Sequence, residues 1–144
     1  MLNELSIEQV APVDYDLIRS VYEACDYSGG IAAQDKGFLA RLSGAPVAAV
    51  RLTNEEGVMM LRGMMVKTEY QRKGIGKQML QALDPHIGKD DCYLVGRKHL
   101  VEFYGGIGFK EIAEGEAPAF LRDRVEHYNR NGYECILMYR SPRL

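Results

Sequence analysis

The hydrophobic period of the chain changes sharply near its middle, and this change restricts what it can fold into more than any other feature. Residues 58–66, VMMLRGMMV, form a long apolar run that reads as a strand. From Gly74 onward, Ile75, Met79, Leu80, Leu83 and Ile87 recur at the spacing of one helical face, so an amphipathic helix follows. The two periods meet in a turn that carries Gly74 and Gly76. A strand that runs through a glycine-bearing turn into a helix leaves the first helical amides without an intrahelical acceptor, at the positive end of the helix dipole.

The same reading extends to both sides. Residues 5–10 form a first short strand. Asp14 is placed to cap a helix over 15–25, where Leu17, Ile18, Val21, Tyr22 and Cys25 follow helical spacing. Residues 26–36, with Ser28-Gly29-Gly30, read as a loop. Residues 37–42 and 46–53 are short apolar–polar runs split by Ser43-Gly44-Ala45, a hairpin signal, and Asn54-Glu55-Glu56-Gly57 makes the next turn. Beyond the central helix, 91–95 reads as a buried strand, 97–104 as a short helix ended by Gly105-Gly106, and 108–113 as another strand. Pro118 suits the first turn of a helix over 119–130, with Leu121, Val125 and Tyr128 on one face and Asn131-Gly132 as its stop. Residues 133–139 form the last strand. The expected class is α/β or α+β, a mixed sheet with helices packed on its faces.

A diphosphate needs several converging donors with little side chain in the way. Residues 71–77 offer them: Gly74 and Gly76 permit close backbone approach, and Arg72, Lys73 and Lys77 add positive charge. Two familiar phosphate loops fail here. Gly76-Lys77 is followed by Gln78 instead of Ser or Thr, with no glycine five positions before Gly76, and Met79 stands where GxGxxG needs its third glycine. Kinase and dehydrogenase readings fall with them. What remains is Gln71-Arg72-Lys73-Gly74-Ile75-Gly76, of the form Gln/Arg-x-x-Gly-x-Gly. Downstream, Glu102-Phe103-Tyr104-Gly105-Gly106-Ile107-Gly108-Phe109 places an aromatic-Tyr pair shortly before Gly-Phe.

These two segments resemble the coenzyme A loop and the aromatic-Tyr, Gly-Phe segment of the GNAT superfamily of N-acetyltransferases. The resemblance covers residues 58–109 well and the flanks by element order. It implies one GNAT-like domain over residues 1–144, a mixed, mostly antiparallel sheet of six or seven strands flanked by about four helices, and acetyl-CoA as cofactor. Met64, Met65 and Val66 would pair their backbone with the pantetheine amides. Gln71, Arg72, Lys73, Gly74, Ile75, Gly76 and Lys77 would hold the pyrophosphate. Tyr104 matches the family's general acid, and a phenol of pKa about 10 can protonate a departing thiolate within hydrogen-bond reach. The family often carries an Asn seven positions before this tyrosine. Here that position is Arg97, which either meets a phosphate or faces solvent. The long strand carries Arg62 and no acid, so the base is left among Glu23, Asp26, Glu134, a water chain or an amine already deprotonated.

Arg41, Arg51 and Arg62 sit in three successive strands that are otherwise apolar. An arginine so placed can clamp a carboxylate or phosphate, which points to an anionic, amino-acid-like acceptor. Facing solvent, or pairing with Glu55, Glu56 or other acids, is the other reading. The stretch 117–131, with Phe120, Arg124, His127 and Tyr128, is longer than a plain hairpin. It can close over the acceptor, pack on the sheet or pack on another subunit, which leaves a homodimer open. The expected activity is acetyl transfer from acetyl-CoA to the primary amine of a small molecule. Acetylation of a protein or peptide N-terminus, or coenzyme A sensing without catalysis, are the alternatives.

Composition narrows the partners further. The formal net charge is −2, which is no nucleic-acid footprint. No apolar run approaches the roughly 18 residues of a membrane span. The N-terminal MLNELSIEQV has acidic residues and no apolar h-region, and reads as the start of the fold. Cys25, Cys92 and Cys135 are odd in number and far apart, without a CxxC pair, as expected of reduced thiols in a cytoplasmic protein. His86, His99 and His127 lack ligand-like spacing, so no metal site is expected.

Overall fold

The computed structural model describes residues 4–142; the part of the N-terminal reading that falls on residues 1–3 lies outside the described residues. The chain runs through β1 (Leu5–Val10), α1 (Tyr15–Ala24), β2 (Lys36–Leu42), β3 (Ala45–Glu55), β4 (Val58–Val66), α2 (Ile75–Ile87), β5 (Cys92–Arg97), α3 (Val101–Gly105), β6 (Lys110–Ile112), α4 (Ala119–Arg130) and β7 (Cys135–Arg140). The seven strands form one sheet in the order β1-β2-β3-β4-β5-β7-β6. Every pairing is antiparallel except β4 with β5. Both tight hairpins turn on two left-handed residues, Ser43-Gly44 and Glu56-Gly57, the geometry that matches strand twist.

Several local expectations change. Asp14 stands at the N-cap of α1, but its side chain makes no capping hydrogen bond, because the helix grows directly out of a 3₁₀ turn over Pro12–Asp14. Glu55 belongs to the end of β3, not to the turn. The helix expected over 97–104 divides: β5 keeps Arg97, a 3₁₀ turn covers Lys98–Leu100, and α3 follows. Strand β6 is only three residues long.

Alternation along the strands builds two layers of core. One face of the sheet packs against α2 and α3, with Phe38, Ala40, Val50, Leu52 and Leu94 meeting Ile75, Met79, Leu80, Leu83 and Tyr104. The opposite face carries two separate clusters. Tyr15, Ile18, Val21 and Tyr22 of α1 cover Leu39 and Ala49, whereas Leu121 and Val125 of α4 cover Met60 and Leu137. Between those clusters the β3 residues Arg51 and Thr53 are buried polar groups, and Glu55 and Arg62 are half-buried beside them. A polar strip therefore divides α1 from α4.

Strand β4 is irregular where this strip begins. Its register with β3 shifts between Ala49 and Arg51, so that Ala49 faces Met65 while Arg51 faces Arg62. That bulge places Gly63 at φ +64, and a Cβ there would overlap Arg51 Nη1 and the Tyr22 hydroxyl. On its other side, β4 has a single paired position with β5 among the described residues, Met60 opposite Tyr93. Gly57 also has positive φ, at +80, but nothing lies within 4 Å of its missing Cβ. Gly57→Ala should therefore lower stability by about 1 kcal/mol from backbone strain alone. Gly63→Ala adds overpacking and should cost about 2–4 kcal/mol in all. Urea unfolding of the two variants checks this, and equal losses would remove the steric role assigned to Gly63.

Candidate active site

A cleft of about 470 Å³ opens where β4 and β5 part. Arg62, Gly63, Met64 and Met65 of β4 form one wall and Leu94, Val95, Gly96 and Arg97 of β5 the other. The segment after α1 (Cys25 to Ser28) and the residues Leu100, Tyr104, Arg124, Tyr128 and Tyr133 complete its lining.

Tyr104 is held firmly. It is 7% exposed and sits among aromatic rings, with Phe103 at 5.0 Å and Phe109 at 6.3 Å between centroids, both edge-on. Gly96 lies beside the ring, and a Cβ on that residue would make ordinary contact with the tyrosine at 3.5 Å while pressing on Leu94 Cδ1 at 3.0 Å. Burial pushes the phenol up to about 12, with a small further push from Tyr27. The hydroxyl therefore keeps its proton at any ordinary pH.

The arginines are distributed unequally. Arg41 lies apart from the cleft and pairs with Glu8 of β1 at 3.2 Å. Arg51 is buried beneath the strip. It donates to the Tyr27 hydroxyl at 3.0 Å and the Tyr22 hydroxyl at 3.4 Å, and has the Asp35 carboxylate 4.0 Å away. It lines a second hollow of about 400 Å³. Arg62 lines both hollows and pairs with Glu55 at 3.3 Å. Arg97 stacks its guanidinium over the Tyr133 ring at 4.4 Å, on the rim. Among the three acids left open as bases, Asp26 lines the cleft, in a left-handed backbone conformation of φ 54; Glu23 and Glu134 do not line it.

The turn after β4 is tied back to the strand. Gln71 Nε2 donates to Val66 O at 3.0 Å, so this side chain braces the loop. Gly74 adopts φ +82 with open space where a Cβ would stand, and it begins α2. The first rung of the helix is Gln78 N to Gly74 O at 3.1 Å, so the amides of Ile75, Gly76 and Lys77 precede any intrahelical acceptor. Gln71, Arg72, Lys73 and Lys77 are exposed, whereas Ile75 is buried in the core. Gly76 has a packing reason as well: a Cβ there would meet the Phe103 ring at 3.2 Å.

The family model of the acetyltransferase (GNAT) domain matches residues 7–129. The chain belongs to the GNAT family. It is therefore an acetyl-CoA-dependent N-acetyltransferase, and its fold is that of the family. No curated protein sequence matches it. Solved structures share the fold at low identity. The ribosomal-protein-S18-alanine N-acetyltransferase from Escherichia coli superposes with a TM-score of 0.70 at 16% identity, covering 97% of this chain and 95% of that one. The PaiA N-acetyltransferase from Thermoplasma acidophilum, in complex with coenzyme A, gives 0.62 at 14% identity over 95% and 98%. The N-acetylglutamate synthase from Neisseria gonorrhoeae, complexed with coenzyme A and N-acetyl-glutamate, gives 0.64 at 18% identity, covering 97% of this chain and 35% of that one.

The turn before α2 combines an open left-handed glycine, leading amides without an intrahelical acceptor and surrounding positive charge. Sequence reasoning named Glu55 as a possible partner of the strand arginines, as the Arg62 pair shows, but missed its contact with Arg124. Glu55 accepts from Arg124 Nη2 at 2.6 Å, from Thr53 Oγ1 at 2.8 Å and from Arg62 Nη1 at 3.3 Å. It stands in a run that reads as a turn, and nothing local links it to Arg124, 69 positions away. This contact pins α4 to the β3–β4 hairpin. Among the described residues no helix is long and apolar enough to cross a membrane, and no cluster of His, Cys, Asp or Glu is gathered for a metal.

Burial acts to raise the Glu55 carboxyl, but the hydrogen bonds from Arg124 and Thr53 and the charges of Arg62 and Arg124 outweigh it, so Glu55 titrates below the ordinary carboxylate range. A depressed folded value contributes stability above the unfolded value of about 4.3 and loses it as pH falls through the folded value. Glu55→Gln should thus be less stable than the parent at pH 7, with the gap closing in acid as both states of the parent become protonated. Urea unfolding at both ends of that range tests the sign; a gap that widens in acid would refute it.

Proposed function

We propose that the chain acetylates the primary amine of a small, anionic, amino-acid-like molecule by direct attack, with Tyr104 as general acid. The observation that carries this reading is a buried tyrosine, proton retained, in the lining of the cleft between β4 and β5. Acetyl-CoA supplies an acetyl group already activated as a thioester. Met64, Met65 and Val66 line its arm, and the backbone of residues 71–77 receives its pyrophosphate. Arg97, stacked on Tyr133, stands at the rim as a counter-charge. The amine nitrogen bonds to the carbonyl carbon, the carbon–sulfur bond breaks as the Tyr104 hydroxyl gives the leaving sulfur a proton, and the new amide nitrogen sheds its surplus proton to water, from which the phenolate is reprotonated. A phenol at about 12 is a weaker acid than a thiol in water, but the same dry surroundings raise the thiol too. Asp26 holds the incoming ammonium, which reacts after losing its proton to solvent. Residues 1–144 act as one acyltransferase domain, in a reducing cytoplasm where Cys25, Cys92 and Cys135 remain free thiols.

Acetyl-CoA and free CoA should both raise the melting temperature, whereas ATP and NAD should not. Tyr104→Phe should lower kcat about 10²–10³-fold in a thiol-release assay with an amine panel, leaving the acetyl-CoA KM within about twofold. The pH profile of kcat/KM should rise with the pKa of the acceptor amine and show no fall up to about pH 10, because Tyr104 loses its proton only near 12. Undiminished turnover in Tyr104→Phe would assign the proton to another group.

A further inference from the structure

Arg62 reaches the cleft from β4 and Arg124 from α4, and the two share one carboxylate, that of Glu55. Glu55 takes one nitrogen from each guanidinium, and its remaining capacity goes to Thr53. Each guanidinium carries five N–H donors, so most stay uncommitted to an anion. Arg124 Nη1 is buried without a hydrogen-bond partner among the described residues. Elsewhere on the cleft wall the charged groups are Arg97, engaged with the Tyr133 ring, and one acid, Asp26. The Arg62–Glu55–Arg124 group thus presents a surplus of one positive charge to the cleft that Tyr104 also lines.

We propose that the acceptor carries a carboxylate that bridges Arg62 and Arg124, closing an alternating ring of two guanidiniums and two carboxylates with Glu55. The planar fork of arginine suits a carboxylate, and a surplus of one matches a monoanion better than a phosphate dianion. This assignment rests on the amine-transfer reading above and adds the second anchor of the acceptor. It also makes Arg124 a specificity residue and gives Glu55 a tuning role: it lowers the positive charge that the acceptor meets.

The test is calorimetric titration of the CoA-saturated protein, which needs no turnover. The probes are ω-amino acids from β-alanine to ε-aminocaproate, the matched n-alkylamines, and phosphoethanolamine. At the best chain length the amino acid should bind at least about tenfold tighter than the alkylamine. Arg62→Gln and Arg124→Gln should each bring that ratio to within about twofold while alkylamine binding is kept; Arg124→Lys, which keeps the charge without the fork, replaces the latter if α4 unfolds. Glu55→Gln should raise the ratio, whereas a purely structural ion pair would lower it. A ratio near one at every length, a ratio that survives both arginine changes, or tighter binding of phosphoethanolamine would overturn the assignment. Thiol release measured alongside separates the two readings: acetylation of alkylamines without discrimination sinks only this one, and discrimination without acetylation sinks only the transfer reaction.

Discussion

The parting of β4 from β5 is the constraint on which the rest of the molecule depends. The two strands share one paired position, Met60 with Tyr93, and then diverge. Past that point the facing edges of both strands carry backbone groups with no ladder partner opposite, and such groups must be met by water or by a ligand. The divergence is held from both sides. The bulge at Gly63 re-aims β4, and β5 is fully laddered to β7 on its other edge, from Cys92 opposite Arg140 to Arg97 opposite Cys135. A sheet that closed at this seam would have no cleft for Tyr104 to line.

The second organising feature is the polar strip between α1 and α4. An uninterrupted apolar face would have let the two helices meet. Arg51, Thr53, Glu55 and Arg62 keep the two clusters apart, and the hollows form over them. Arg51 illustrates how the strip is tolerated. Its charge is desolvated, yet two phenol oxygens accept from it, two aromatic faces lie 5.5 and 5.6 Å from its centre, and Asp35 is near. Gly63 follows from the same packing, because the room beside it is already filled by Arg51 and Tyr22.

The sequence was most legible where periodicity and chemistry coincide. The apolar run 58–66, the helix opened by Gly74 and the Phe-Tyr pair at 103–104 each carry a local signal, and they supply one side of the seam, the turn after it and the tyrosine that lines the cleft. It was least legible where partners are distant. The three strand arginines look alike in sequence, yet Arg41 pairs with Glu8, Arg51 is enclosed by tyrosines, and Arg62 meets Glu55 and both hollows. Which face a residue takes depends on a register shift that no local pattern announces. The role of Gly76 was half visible: its freedom as a glycine could be read, but its contact with Phe103 joins α2 to α3 across 27 positions and belongs to the tertiary structure.

The strand order has a consequence for biosynthesis. Strands β1 to β4 are neighbours in sequence and in space, and they are complete by Val66. Strand β7, by contrast, is inserted between β5 and β6, so the wall opposite β4 gains its supporting neighbour only from residues 135–140. A nascent chain on the ribosome can assemble one half of the seam between β4 and β5 early. The seam lacks its second wall's support until Arg140 has emerged.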